Sequence, residues 1–162
     1  MNGLPGRVQA FAISTLTKAG LVPKPIRLWK PRFLYKSLAA SKACVKTGFV
    51  KLVKYIAVQD SGNIINPLTA EGQVHGGVVH GIGNALFEQM LYDEEAQPLT
   101  TTFADYMLPT STEVPKIDVI FNQTPSPLNP LGAKGVGEAS VPPVVPAIMS
   151  AIENALSEYD IR

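Results

Sequence analysis

The chain has 162 residues, enough for one domain with a hydrophobic core, and its 46% hydrophobic and 17% charged residues are ordinary for a globular protein. No stretch reaches the roughly eighteen uninterrupted apolar residues needed to cross a bilayer, so no membrane span is expected. The single cysteine, Cys44, cannot form an internal disulfide, and no paired-cysteine spacing indicates zinc or an iron–sulfur cluster. This cysteine usage favours a reducing, cytoplasmic location.

Charge divides the chain into two parts of opposite sign. Residues 1–54 carry eleven Lys and Arg residues and no Asp or Glu, whereas residues 55–162 carry three basic and all thirteen acidic residues. The change of character predicts a basic N-terminal arm of uncertain structure over 1–47 and a domain over 48–162. The arm fits three interpretations: a segment that docks on an acidic surface, an organellar transit segment, or a remnant with no role of its own. Its basic residues show no spacing that organises them on one face, so nucleic-acid binding is not expected.

From residue 48 the pattern changes from extended to helical. The β-branched and aromatic residues of GFVKLVKYIAV predict a strand, and QDSGNIINP predicts a turn after it. In the next segment apolar residues recur at three- and four-residue steps, which indicates a helix; they are Val74, Val78, Ile82, Ala85, Leu86 and Met90. Glycines within this helix should weaken it, so we expect another element to pack closely against its face; they are Gly76, Gly77, Gly81 and Gly83.

The second half of the domain contains another strand and another helix, separated by long loops. DEEAQPL predicts an exposed turn and TTTFADYMLPTSTEVP an irregular segment, whereas KIDVIFNQ alternates apolar and polar residues as a half-buried strand does. TPSPLNPLGAKGVGE is a long loop rich in proline and glycine, and loops of this length are often functional. SVPPVVPAIMSAIENALSEY predicts a helix with one apolar face. The order strand, helix, strand, helix predicts an α+β fold rather than a doubly wound sheet.

The loop NPLGAKGVGEAS surrounds the carboxylate of Glu138 with small residues. Glycines leave a backbone open, and such a loop permits close approach by a ligand. Glu138 also lies just upstream of the predicted second helix. The alternative interpretation is therefore a carboxylate that the helix dipole stabilises, with no ligand involved.

Three blocks in order, NPLTAEGQVHGGVVHGIGNALFE, TTTFADYMLPT and TPSPLNPLGAKGVGEAS, resemble the C-terminal part of the molybdopterin-binding large subunit of molybdenum hydroxylases. This family contains xanthine dehydrogenases, aldehyde oxidases and aerobic carbon monoxide dehydrogenases, and the chain looks most similar to the carbon monoxide dehydrogenase type. The resemblance covers about two thirds of the chain. It implies an oxidoreductase with a molybdenum–pyranopterin cofactor, alone or as a cytosine dinucleotide. It also implies a larger molybdopterin-binding chain that supplies the missing upstream segments, together with iron–sulfur and FAD subunits.

The resemblance gives Glu138 a catalytic role. In the family, the glutamate of this loop acts as general base toward a metal-bound hydroxyl, which attacks an electron-poor carbon of an aldehyde, an N-heterocycle or a similar small molecule. The loop that carries it, Lys134, Gly135, Val136 and Gly137, would contact the cofactor, and Lys134 brings a positive charge into it.

The helical block resembles the second cofactor-contacting segment of the family. There Gln73 would offer amide hydrogen bonds to the pterin at a glycine-rich helix start, and Gly76 and Gly77 would permit close approach. The alternative is that the glycines serve tight helix packing alone. His75 and His80 are five residues apart and point in different directions on a helix, so no protein ligand to a metal is expected. Many family members have a glutamine where His80 stands.

Three hypotheses of function follow from these features. The first is a split enzyme, in which this chain supplies Glu138 and half of the cofactor cradle to a larger chain. The second is a truncated fragment that keeps the fold elements but is catalytically inactive. The third is a non-catalytic interaction module of the same fold, which binds a partner through the basic arm and the exposed half of the interface.

Overall fold

One four-stranded sheet and two helices make up the part of the chain that this computed structural model describes, which is residues 7–16, 35–44 and 47–156. The elements in chain order are β1 (Arg7–Leu16), β2 (Tyr35–Cys44), β3 (Val50–Gln59), α1 (Pro67–Leu86), β4 (Lys116–Phe121) and α2 (Val144–Ala155). Sheet and helices confirm the α+β prediction, and the predicted strand, helix, strand, helix order of the domain is observed as β3, α1, β4 and α2.

The sheet is mixed, with strands in the order β1, β2, β3, β4. The first three strands pair antiparallel, whereas β3 and β4 are parallel and helix α1 lies in the crossover between them. Parallel neighbours end at the same edge of a sheet, and here the N–H of Asn122 donates to the carbonyl of Gln59 at 2.9 Å. The segments that leave β3 and β4 therefore start side by side.

The core lies between the sheet and both helices. Helix α1 buries Val74, Val78 and Ile82 completely, at the four-residue spacing that the sequence predicts. The other buried members of this core come from β2, β3 and α2; they are Ala39, Leu52, Tyr55, Ala57, Val144, Ala147, Ile148 and Ala151. Burial of apolar surface on this scale is the main force that holds the two helices on the sheet.

The glycines of α1 allow the second helix to approach closely. A Cβ added at Gly81 would lie 2.7 and 2.9 Å from the two γ-carbons of Val144, and one at Gly77 would meet the hydroxyl of Ser140. These distances are shorter than any ordinary carbon contact. The expectation that an element packs tightly against the glycine face is therefore confirmed for Gly77 and Gly81.

Two strands were not predicted, β1 and β2, and both lie within the predicted N-terminal arm. Strand β2 has the sequence YKSLAASKAC, in which small and polar residues replace the β-branched residues that mark a strand. It forms because it pairs antiparallel with β3, with one register shift between Ala40 and Ser41, and because Ala39, Ser41 and Ala43 are buried. Division of the chain at residue 47 stays a prediction, and the rest of residues 1–47 lies outside the described part. Helix α1 also ends earlier than predicted, which leaves Met90 beyond it and 49% exposed.

Candidate functional site

A buried carboxylate, Asp60, stands where the segments after β3 and β4 meet. Its side chain is 2% exposed. It accepts hydrogen bonds from the backbone N–H of Gly62 at 2.9 Å and of Thr124 at 3.1 Å, and also from the Thr124 hydroxyl. The ammonium of Lys134 donates to it at 2.7 Å and to the Thr124 hydroxyl at 2.6 Å. The cluster therefore joins three segments that are far apart in sequence.

The charge on Asp60 is well compensated. Burial has the largest single effect and would raise the pKa of its carboxyl, but the hydrogen bonds from Lys134, Thr124 and Gly62 together outweigh it. The pKa of Asp60 is consequently held below its ordinary value, and the group is an anion at neutral pH. The ammonium of Lys134 thus pairs with the carboxylate of Asp60. Among the described residues, no ion pair joins Lys134 to Glu138.

Backbone contacts strengthen the same junction. The N–H of Lys134 donates to the carbonyl of Ser61 at 2.9 Å, and the N–H of Asn63 donates to the carbonyl of Gly132 at 3.0 Å. Gly62 has a φ of +66°, and a Cβ there would lie 3.0 Å from the Lys134 nitrogen and closer still to the Gly132 carbonyl. Only glycine fits this position without strain. The turn after β3 and the loop before Glu138 are therefore held together as one unit.

The fold brings the helical block and the glycine loop into contact. The side-chain amide Nε2 of Gln73 donates to the carbonyl of Gly137 at 3.0 Å. A Cβ added at Gly76, Gly135 or Gly137 would meet no atom within 4 Å, so these three positions face open space. Glu138 follows directly; it is exposed, and no hydrogen bond or ion pair from a described residue engages its carboxylate.

The position of Glu138 does not support the helix-dipole alternative. Helix α2 begins at Val144 and has no acidic residue in its first turn. Glu138 lies in the turn before the helix, where its carbonyl accepts the N–H of Val141 at 3.0 Å. Dipole stabilisation falls off within the first turn, so it does not account for the carboxylate.

The prediction of a glycine-rich helix start at Gln73 is wrong. Helix α1 begins at Pro67, and Asn66 caps it by accepting the N–H of Thr69 at 3.3 Å. Residues 73–77 therefore lie inside the helix, where their N–H groups bond to carbonyls four residues earlier and cannot bind an anion. Gly77 faces Ser140, which supports the packing interpretation for that glycine, whereas Gly76 faces open space and the amide of Gln73 bonds to the loop at Gly137.

Comparison with known proteins decides the family. Residues 38–115 match the family model of the molybdopterin cofactor-binding domain. The gamma subunit of the 6-hydroxypseudooxynicotine dehydrogenase complex of Paenarthrobacter nicotinovorans is 43% identical over 69% of this chain and 14% of its own length. The carbon monoxide dehydrogenase large chain of Afipia carboxidovorans is 41% identical over 68% of this chain and 14% of its own. The chain belongs to the molybdenum hydroxylase large-subunit family. The predicted resemblance is thereby confirmed.

Solved structures of two related oxidoreductases share the fold. Quinoline 2-oxidoreductase from Pseudomonas putida 86 superposes with a TM-score of 0.77 at 36% identity, over 80% of this chain and 16% of that one. Reconstituted carbon monoxide dehydrogenase from Oligotropha carboxidovorans superposes with a TM-score of 0.75 at 35% identity, over 79% of this chain and 16% of that one. The chain spans about 14% of the length of these curated relatives. Neither described helix is long and apolar enough to cross a membrane.

The open loop has the chemistry to hold part of a molybdenum cofactor. No described residue accepts a hydrogen bond from the backbone N–H of Gly135, Val136 or Gly137, so three consecutive residues have donors without a described partner. Val136 packs against the core, while the glycines on either side face open space. Adjacent N–H donors and the amide of Gln73 fit a pterin ring, which carries both donors and acceptors, and its phosphate. The residues present therefore fit this side of the group.

Sequence reasoning missed Asp60, although it organises the site. The segment QDSGN satisfies a turn equally well without a buried role for its carboxylate. The histidines singled out by their spacing behave differently from one another: His75 is half-buried with its Nε2 lacking a partner among described residues, and His80 is exposed. Within the part of the chain that the structure describes, no three His, Cys, Asp or Glu side chains are grouped as a metal site.

Proposed function

We propose that this chain supplies the general base Glu138 and part of the cofactor cradle of a molybdenum hydroxylase that acts on an aldehyde, an N-heterocycle or a similar small molecule. The observation that carries this proposal is the hydrogen bond from Gln73 to the carbonyl of Gly137. It joins the helical block, which lies within the residues matched by the cofactor-binding family model, to the loop block, which resembles the same family in sequence. Glu138 is exposed beside them, and its carboxylate has no partner among the described residues.

In this proposal the cofactor, as the pterin alone or as a cytosine dinucleotide, supplies the two-electron redox chemistry. The amide of Gln73 and the N–H groups of Gly135, Val136 and Gly137 hold it, and Gly76 leaves room for it. Gly77 and Lys134 act indirectly, because their observed contacts with Ser140 and Asp60 set the shape of the cradle. The carboxylate of Glu138 accepts a proton during substrate oxidation, a role that contributes about 10²- to 10⁴-fold to a rate.

The proposal requires other chains or segments to complete the site. The chain corresponds to about 14% of the length of relatives that are named as large chains or large subunits. We propose that a larger molybdopterin-binding chain supplies the remaining cofactor contacts. Electrons then leave through iron–sulfur and FAD subunits, because one cysteine cannot hold a cluster.

Substitution of Glu138 by Gln tests the assignment. The amide keeps the size of the side chain but cannot take up a proton. In the complex reconstituted with its larger chain, we expect molybdenum content to stay near normal and turnover to fall by at least about a hundredfold. Glu153→Gln is the matched control, because Glu153 is an exposed carboxylate on α2.

Near-normal turnover in the Glu138→Gln complex would remove this residue from the mechanism. Loss of molybdenum together with turnover would also contradict the proposal, since it would make Glu138 a residue that retains the cofactor. A normal rate in Glu153→Gln is needed to show that loss of one surface charge is harmless.

A further inference from the structure

The ion pair between Asp60 and Lys134 differs from the other ion pairs of the described residues. Its two side chains are 2% and 11% exposed. Asp118, in contrast, is 32% exposed and pairs with Lys54 and Lys116, which are 49% and 82% exposed. A buried ion pair adds little net stability compared with an apolar pair of the same volume, although loss of one partner is strongly unfavourable. Its use here calls for a role other than stability.

The geometry points to such a role in the segment between Lys134 and Glu138. Lys134 is fixed twice, by its ammonium on Asp60 and by its N–H on the carbonyl of Ser61. The other end of the segment is fixed where Gly137 accepts the amide of Gln73. Only Gly135 and Val136 lie between these two anchors, and Val136 packs on the core. Four consecutive residues are thus held immediately before an exposed carboxylate.

Glycine makes this anchoring necessary. Gly135 and Gly137 have no side chain to pack, and a chain with glycine at these positions has more conformations to lose on folding than one with alanine. Without the anchor at residue 134, the loop would keep the bond from Gln73 and the packing of Val136, but its first residue would no longer be attached to the end of β3. The direction in which Glu138 points would then vary.

We infer that Asp60 and Lys134 are positioning residues that fix the Glu138 loop against the end of β3, so that the carboxylate has one orientation relative to helix α1. This inference rests on the proposed function of the loop, but the property that it predicts is the conformational order of the loop, which can be measured without activity. Asp60 acts through Lys134 and has no contact with substrate in this scheme.

Hydrogen exchange on the full chain, read by mass spectrometry with residue-level fragmentation, tests the inference without cofactor or turnover. The reporters are the N–H groups of Lys134 and Asn63, which bond across the junction. Three variants are compared: Asp60→Asn, the double variant Asp60→Asn with Lys134→Met, and the control Asp118→Asn. Amides of β3 and α2 report global stability in the same sample.

We expect exchange at both reporters to rise about tenfold or more in the single and the double variant, and to stay at the wild-type rate in Asp118→Asn. The double variant has no unpaired buried charge, so its β3 and α2 amides should exchange as in the wild type. If the pair only stabilised the fold, exchange would rise together at the two reporters and at the amides of β3 and α2. Local loosening with intact global protection is therefore the signature of a positioning role.

Wild-type protection of the backbone N–H groups at positions 134 and 63 in the double variant would overturn the inference, because the loop would then be ordered without the pair. An equal rise in all amides of the double variant would overturn it too. The result is separable from the proposed function: if the loop loosens as expected but Glu138→Gln keeps normal turnover, the pair positions a loop that is not catalytic.

Discussion

Substitution of Gly81 by Ala should destabilise the chain, against the rule that alanine stabilises a helix. The new Cβ would lie 2.7 and 2.9 Å from the γ-carbons of Val144, which is fully buried and β-branched and so cannot turn away. Overpacking of this kind costs about 1 to 3 kcal/mol, and the contact with Val144 places it near the upper limit. Alanine returns about 1 kcal/mol of helix propensity, which leaves a net loss of about 2 kcal/mol.

Gly76→Ala is the matched control, since it makes the same change in the same helix where a Cβ would meet nothing within 4 Å. It should stabilise the chain by about 0.5 to 1 kcal/mol. For a chain of this length, thermal unfolding followed by circular dichroism should show Tm about 4 to 8 °C lower for Gly81→Ala, and slightly higher for Gly76→Ala. A Tm at or above the wild type in Gly81→Ala would refute the packing argument.

Two further predictions concern charge and exposed surface. Interactions in the folded chain lower the pKa of the Asp60 carboxyl, so its contribution to stability is complete above the ordinary pKa and is lost as the pH falls through the folded-state pKa. Urea midpoints should therefore drop as the pH is lowered below about 5, and Asp60→Asn should make this drop smaller. A slope that is unchanged in the variant would contradict the assignment. Four large apolar side chains are 64 to 80% exposed; they are Ile65, Leu68, Leu128 and Leu131. Because exposed apolar surface of this kind favours association, the chain alone should self-associate. Sedimentation of a single 17.3 kDa species at all concentrations would argue against this.

The sequence predicts those elements that carry their own signal, in the spacing of their apolar residues or in their composition. Strand β4 and both helices carry periodic apolar residues, strand β3 is rich in β-branched and aromatic residues, and each forms close to its predicted position. Strands β1 and β2 could not be predicted, since the alanines and serines of β2 indicate no strand until β3 is present as a partner. Pairing between distant segments decides their structure.

The candidate site divides in the same way. Gln73 and the loop before Glu138 stand out because their blocks resemble a family, and the structure brings them within one hydrogen bond. Asp60 could not be found, because its partners Thr124 and Lys134 lie 64 and 74 residues further along the chain. A contact of that kind has no local signature. Likewise, Gly76 and Gly77 look alike in the sequence. Only the packing of α1 against the segment that contains Ser140 shows that Gly77 is in contact and that Gly76 faces open space.

Molybdenum content tests the central claim most directly. The protein would be purified gently from its native source, the metal measured by elemental mass spectrometry, and the co-purifying chains identified in the same sample. The proposed function predicts about one molybdenum per complex, together with a larger chain that carries the remaining cofactor-binding segments. A preparation with neither molybdenum nor such a chain would contradict it, and the loop before Glu138 would then have no cofactor to serve.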